Sequence, residues 1–315
     1  MKERKRIYIW AFASIIVLLA ITLTGGSLYL MDYALAPNPE RTDTAAAIRR
    51  QMKNHPEINE WWDSLRHAHA VRDTFMTMPT GERHHALYIN KGVQKTALVI
   101  HGWRGCSYDF LFLAYVYERC LGYNVVLPDL HAHGLSEGKA INMGWKDRDD
   151  MMQWLQVYAT DTMVVHGVSM GAATAMMLSA VKMPEKVTEV HIIEDCGYTS
   201  VWNEFVWQLK EEFGLPAFPL LTVASALTKL RYGWSFGQAS ALQQVRYSSY
   251  PIFFIHGDSD SFVPTEMVYR LYDAKPDKKR LWITSNTEHA LSYNNHKEEY
   301  VRRIRDFIET PADKM

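Results

Sequence analysis

The chain is short of net charge and of cysteine. Its 315 residues include 34 Lys and Arg against 35 Asp and Glu, a formal net charge of −1. Nucleic-acid binders usually carry a basic excess or stripe, so that class is set aside. Three cysteines, Cys106, Cys120 and Cys196, are too few and too scattered for a disulfide framework. One pairing, Cys106 with Cys120, is open to them in an oxidising compartment. Each lies in or beside apolar sequence, where the plainer reading is a small core residue. The absence of any C-x-x-C excludes a zinc ribbon or a thioredoxin-like motif. Internal repeats and low-complexity linkers are also missing. Apolar sequence is plentiful, at 48% hydrophobic against 22% charged residues, which excludes global disorder. The length allows one large domain or two smaller ones.

Residues Ile7 to Met31 carry no charge. As a helix, that run spans roughly 37 Å at ~1.5 Å per residue, enough to cross a hydrocarbon core of ~30 Å with some tilt. A cleaved signal would have a shorter apolar region and a small-residue cleavage site. Ala34-Leu35-Ala36 has the residue types, but it lies beyond Asp32 and precedes Pro37. The run is therefore read as an uncleaved anchor. Lys2, Arg4, Lys5 and Arg6 precede it, and Asp32 and Glu40 follow. The positive-inside rule then predicts a single-pass protein, amino terminus in the cytoplasm and remainder outside.

Helical spacing of apolar residues predicts a lead-in over 32–71, interrupted by Pro56. Extended runs at 73–78 and 85–90 flank a Pro79-Thr80-Gly81 turn. From Thr96 onward, short apolar runs alternate with helical stretches: ALVIH (97–101), a helix at 108–120, NVVLP (124–128), a helix near 144–158, MVVHG (163–167) and a helix at 170–182. VHIIED (190–195), PIFFIHG (251–257), a helix from about 265, RLWITS (280–285) and a helix near 296–309 complete the series. This alternation predicts an α/β fold, a mostly parallel sheet with helices on both faces. Residues 72–197 and 249–315 form its core. Residues 198–248 break the pattern with many aromatics and read as a helical cap insertion; the competing reading is a peripheral layer packed for stability.

Gly167-Val168-Ser169-Met170-Gly171 matches G-x-S-x-G, the pattern that lifts a nucleophilic serine on a sharp strand-to-helix turn. Gly134-Leu135-Ser136-Glu137-Gly138 matches it too. Only Ser169 directly follows a predicted strand and opens a predicted helix, so Ser169 is taken as the nucleophile and Ser136 as a loop residue. A serine hydroxyl needs a base, and the base an orienting acid. In this architecture the partners follow in the order acid, then His, on loops after strands. Asp260 follows PIFFIHG, and His289 follows RLWITS. Asp258 is assigned to its own turn. The N–H of Met170, directly after the nucleophile, and that of Trp103, in the loop His101-Gly102-Trp103-Arg104-Gly105, are the expected oxyanion donors. Arg104 is read as a solvated surface residue. His131-x-His133 with Asp129 has metal-ligand types, but a loop histidine pair is read as structural, and no metal or cofactor is expected.

Together these segments resemble the α/β-hydrolase superfamily over roughly residues 70–310. The resemblance rests on His101-Gly102, Pro128-Asp129-Leu130-His131-Ala132-His133-Gly134-Leu135-Ser136, Gly167–Gly171, His256–Asp260 and His289. The branch it is most similar to groups membrane-anchored hydrolases with serine aminopeptidase-like and monoacylglycerol lipase-like proteins. It implies a Ser–Asp–His triad, a two-amide oxyanion hole, a lid after the sixth strand and no cofactor. His131 departs from the Arg that many members carry, which leaves the triad untouched and the substrate open. The expected activity is hydrolysis of an ester, thioester or small amide through an acyl-enzyme, with a small-molecule or lipid-like acyl substrate. An aminopeptidase, and a non-catalytic membrane-tethered binding protein on the same scaffold, stand as alternatives.

Overall fold

The structure is a computed structural model that describes residues 2–311 and 314. Helix α1 spans Lys2–Leu35, longer than the uncharged run, because no proline interrupts it before Pro37. Its exposed face carries Ile7 to Ile21, while Ser27, Met31 and Leu35 are buried against the rest of the protein. The lead-in follows as α2 (Thr44–Asn54) and α3 (Asn59–His67), separated by a 3-10 turn that begins at Pro56. The Asp43 side chain caps α2 by accepting from the Ala46 N–H at 2.9 Å.

Eight strands form one sheet: β1 (Val71–Thr77), β2 (Arg83–Ile89), β3 (Lys95–Ile100), β4 (Asn124–Pro128), β5 (Thr162–Val168), β6 (Glu189–Asp195), β7 (Ile252–Gly257) and β8 (Lys279–Thr284). Their spatial order is β1-β2-β4-β3-β5-β6-β7-β8. The β1–β2 and β2–β4 pairs are antiparallel, and every later pair is parallel. Both faces of the parallel strands are covered. In β3, Leu98 and Ile100 join the core on one face, and Ala97 and Val99 the core on the other. That is why these strands are continuous apolar runs rather than alternating ones.

The covering helices are α4 (Leu111–Tyr115), α5 (Asp147–Tyr158), α6 (Met170–Leu178), α7 (Val201–Phe213), α8 (Leu220–Tyr232), α9 (Ala241–Gln244), α10 (Glu266–Ala274), α11 (Ser292–Asn295) and α12 (Lys297–Glu309). The single helix expected at 108–120 breaks into a 3-10 turn, α4 and a wide π-type turn. Two buried demands shape it. The Ser107 N–H donates to the Asp129 carboxylate at 2.6 Å, and the Tyr117 hydroxyl pairs with His166 Nδ1 at 2.8 Å. Gly122, at φ +79°, closes the segment. Helices α7, α8 and α9 fill the stretch between β6 and β7. α8 lies along the end of α1, where the Ser27 hydroxyl donates to the Leu220 carbonyl at 3.0 Å.

Candidate active site

The carboxyl ends of β5, β7 and β8 converge on one place. Ser169 follows β5 and immediately precedes α6, with φ +57° and ψ −118°. Such a turn is strained for a residue with a Cβ. Two glycines make it sterically feasible. A Cβ on Gly167 would lie 2.0 Å from the Gly171 carbonyl oxygen, and one on Gly171 would lie 2.1 Å from that of Ile100. The strand, the turn and the helix can therefore cross at backbone distance only with glycine at both positions.

The structure brings the three distant side chains together. His289 Nε2 lies 2.8 Å from Ser169 Oγ, and His289 Nδ1 lies 2.7 Å from Asp260 Oδ2. With its Nδ1–H donating to the carboxylate, the imidazole presents Nε2 as acceptor to the serine hydroxyl. Burial opposes ionisation of Asp260, but hydrogen bonds from His256 and His289 outweigh it and hold its carboxyl down at about 2. Its other oxygen accepts from the Phe262 and Val263 N–H groups at 3.0 and 2.9 Å, so the acid cannot rotate away. Asp258 does more than shape its own turn. Its Oδ1 accepts from the Thr287 N–H at 3.2 Å, tying the acid loop to the histidine loop.

Met170 opens α6, so its N–H has no partner within the helix. The loop after β3 runs alongside, close enough that a Cβ on Gly102 would sit 3.4 Å from Ser169 Cβ. Two buried histidines fix that loop. His101 Nε2 accepts from the Leu130 N–H at 3.0 Å while its Nδ1–H donates to the Gly102 carbonyl at 2.8 Å. His133 Nε2 accepts from the Arg104 N–H at 3.1 Å while its Nδ1–H donates to the His131 carbonyl at 2.9 Å. Burial pushes His133 down to about 3, so it stays neutral and keeps this pattern. Both its nitrogens are spent on backbone, which removes it from the His131–His133 metal pair. Arg104 is not simply solvated: its guanidinium donates to the Tyr33 carbonyl at 2.9 Å and lies 4.2 Å from the Trp103 ring. Two clusters among the described residues, Glu82 with His84 and His131, and Cys196 with Asp260 and His289, gather ligand atoms within 4.8 Å of one another.

Ser136 belongs to a different network. It is fully buried, its hydroxyl donates to the Asp129 carbonyl at 2.7 Å, and it accepts from the His85 N–H at 2.9 Å. The Asp129 carboxylate accepts from His85 Nδ1 at 2.7 Å, and His85 Nε2 donates to Asp73 at 2.8 Å. Gly134 is required beside it, since a Cβ there would meet the Asp129 carboxylate at 2.1 Å. The second G-x-S-x-G is thus a structural clasp.

An apolar cleft opens beside Ser169, lined by Trp103, Met143, Met170, Phe205 and Phe236 together with residues of α1. Sequence reasoning missed three polar members on α7: Gln208, Glu212 and Glu204. Glu204 is buried, Oε1 accepts from Gln208 at 2.8 Å, and Oε2 has no partner among the described residues. Burial pushes its carboxyl up to about 8. All three thiols are free, with Cys106 and Cys196 buried and Cys120 partly so.

The sequence pattern of the alpha/beta hydrolase fold family matches residues 96–222. An uncharacterized Bacillus subtilis protein, YqkD, is 30% identical over 228 residues, which are 69% of this chain and 72% of that one. Among solved structures, the Pyrococcus furiosus esterase Pf2001 superposes with a TM-score of 0.60 at 22% identity, covering 76% of this chain and 92% of its own. A putative hydrolase from Agrobacterium vitis gives 0.58 at 16% identity, covering 76% and 99%.

Proposed function

We propose, since the chain belongs to the alpha/beta hydrolase fold family, that it is a serine hydrolase acting on acyl esters through a Ser169–His289–Asp260 triad. The observation that carries this is the unbroken relay of 2.8 and 2.7 Å from serine to imidazole to carboxylate. Ser169 Oγ attacks the substrate carbonyl as His289 Nε2 takes its proton. Asp260 holds the imidazole in the required tautomer and stabilises the imidazolium. The N–H groups of Met170 and Trp103 receive the developing oxyanion; losing one such donor costs about 10²–10³ in turnover. His289 then returns its proton to the leaving group, and water repeats the sequence to free the acyl group and regenerate the serine.

The apolar cleft favours an acyl chain over a polar group. Burial among the apolar side chains of the cleft pushes the Glu204 carboxyl up to about 8. Helix α1, with its outward apolar run, is the proposed membrane anchor, amino terminus in the cytoplasm and active site outside.

A fluorophosphonate probe tests the reading. The wild-type chain is expected to label stoichiometrically and Ser169→Ala not at all. A folded wild type that stays unlabelled, or a label that persists in Ser169→Ala, would refute it.

A further inference from the structure

Helix α1 divides into two parts. From Ile7 to Gly25 no residue is buried, and the large apolar side chains of that stretch stand mostly exposed. Those nineteen residues measure about 28 Å as a helix, close to the ~30 Å of a hydrocarbon core. From Gly26 onward the same helix meets protein. A Cβ on Gly26 would lie 3.2 Å from a Leu220 methyl, the Ser27 hydroxyl reaches the Leu220 carbonyl, and Met31 and Leu35 are almost wholly buried. The Trp103 indole donates to the Ala34 carbonyl at 2.9 Å, and the Ile141 N–H to that of Leu35 at 2.8 Å. The mostly exposed apolar run therefore ends where contact with the rest of the protein begins.

Leu30, Met31 and Ala34, on this buried stretch, line the same cleft as Ser169. They stand five to nine residues past Gly25, roughly 8–14 Å from the hydrocarbon edge at ~1.5 Å per residue. The α7–α8 connection, which enters α8 at Leu220 beside Ser27, exposes Leu215 at 40% and Phe218 at 75%. Apolar side chains of this size, next to a membrane-crossing helix, match the headgroup boundary rather than water.

We infer that the last turns of the membrane helix form a wall of the acyl pocket, and that the substrate is a long-chain acyl ester residing in the bilayer and entering beside α1. This rests on the serine-hydrolase reading. The acyl chain leaves lipid, passes the Phe218 loop and packs against Leu30, Met31 and Ala34, placing its carbonyl at Ser169. A soluble short ester can reach the serine but leaves that wall bare.

The test uses the full chain in phosphatidylcholine vesicles with p-nitrophenyl esters of four and sixteen carbons, read as the ratio of kcat/KM for the long ester to that for the short. Leu30→Trp and Ala34→Trp, which fill the wall, are expected to lower that ratio at least ten-fold. Phe218→Asp, outside the cleft, is expected to lower it about five-fold through a higher KM for the embedded ester. Fluorophosphonate labelling of each variant reports that the triad remains folded and reactive. A ratio unmoved in all three labelled variants overturns the inference and leaves the serine-hydrolase reading intact. A wild type that never labels overturns both.

Discussion

Ser136→Ala and Ser169→Ala are expected to fail in opposite ways, although both change a serine inside G-x-S-x-G. Ser136 serves two buried backbone groups, the Asp129 carbonyl and the His85 N–H, and no other hydrogen bond is formed by either of those atoms among the described residues. Alanine leaves both unpaired. Each such group costs about 1–3 kcal/mol, so the pair should cost about 2–6 kcal/mol. For a domain of this size that lowers Tm by roughly 3–10 °C. Fluorophosphonate labelling of the protein that remains folded should be unaffected. Ser169→Ala removes one hydroxyl from a partly open cleft and should move Tm by only about 2 °C, while labelling disappears. Differential scanning calorimetry and labelling stoichiometry on the same samples separate the two. A Ser136→Ala protein that melts like wild type but does not label, or a Ser169→Ala protein that labels, would overturn the assignment of roles.

Asp260→Asn should leave the fold intact and reduce kcat by roughly 10⁴, because an amide no longer secures the imidazole tautomer or its charge; a loss under ten-fold would remove Asp260 from the triad. Glu204 has a folded pKa raised from its ordinary 4.5 to about 8, so the folded state binds the extra proton between those values and stability declines as pH rises from about 4.5 through 8. Glu204→Gln removes that decline: its Tm advantage over wild type should be small at pH 5 and a few degrees or more at pH 9, and an advantage independent of pH would show that Glu204 does not titrate in this way. External protease on intact cells should digest the catalytic domain while sparing the anchor; full protection would reverse the proposed orientation.

The sheet was legible because its parallel strands are doubly covered, and runs such as ALVI and IFFI have no polar face to confuse with helix. The placement of Ser169 and His289 was legible because the proposed chemistry demands positions on strand ends, and strand ends can be read locally. The clasp around Asp129 was not. His85 precedes it by 44 residues and Ser136 follows it, and only the antiparallel pairing of β2 with β4 makes them neighbours. Glu204 escaped notice because a lone acid on an amphipathic helix looks like a solvated one until the opposing surface is known. The helix expected at 108–120 failed for a related reason: its apolar spacing is helical, but Ser107 and Tyr117 answer to partners in the loop after β4 and on β5. The continuation of α1 into the cleft was invisible for lack of any sequence mark separating exposed from protein-facing apolar residues. Gly25-Gly26 is where the change occurs, and only the contact with Leu220 reveals why.

The bond from Ser27 to Leu220 also constrains how the cleft opens. A lid that swings as a rigid flap needs a free edge, and here one edge is moored to the helix proposed as the membrane anchor. Swinging α7 and α8 outward together would snap that mooring and prise Met31 and Leu35 out of the interior. Rotation of individual rings at the mouth, such as Phe262 against His289 at 4.9 Å between centroids, breaks neither. Exchange of ligand should therefore proceed by small gates turning within a stationary frame, and deuterium uptake along α8 should stay low while turnover proceeds.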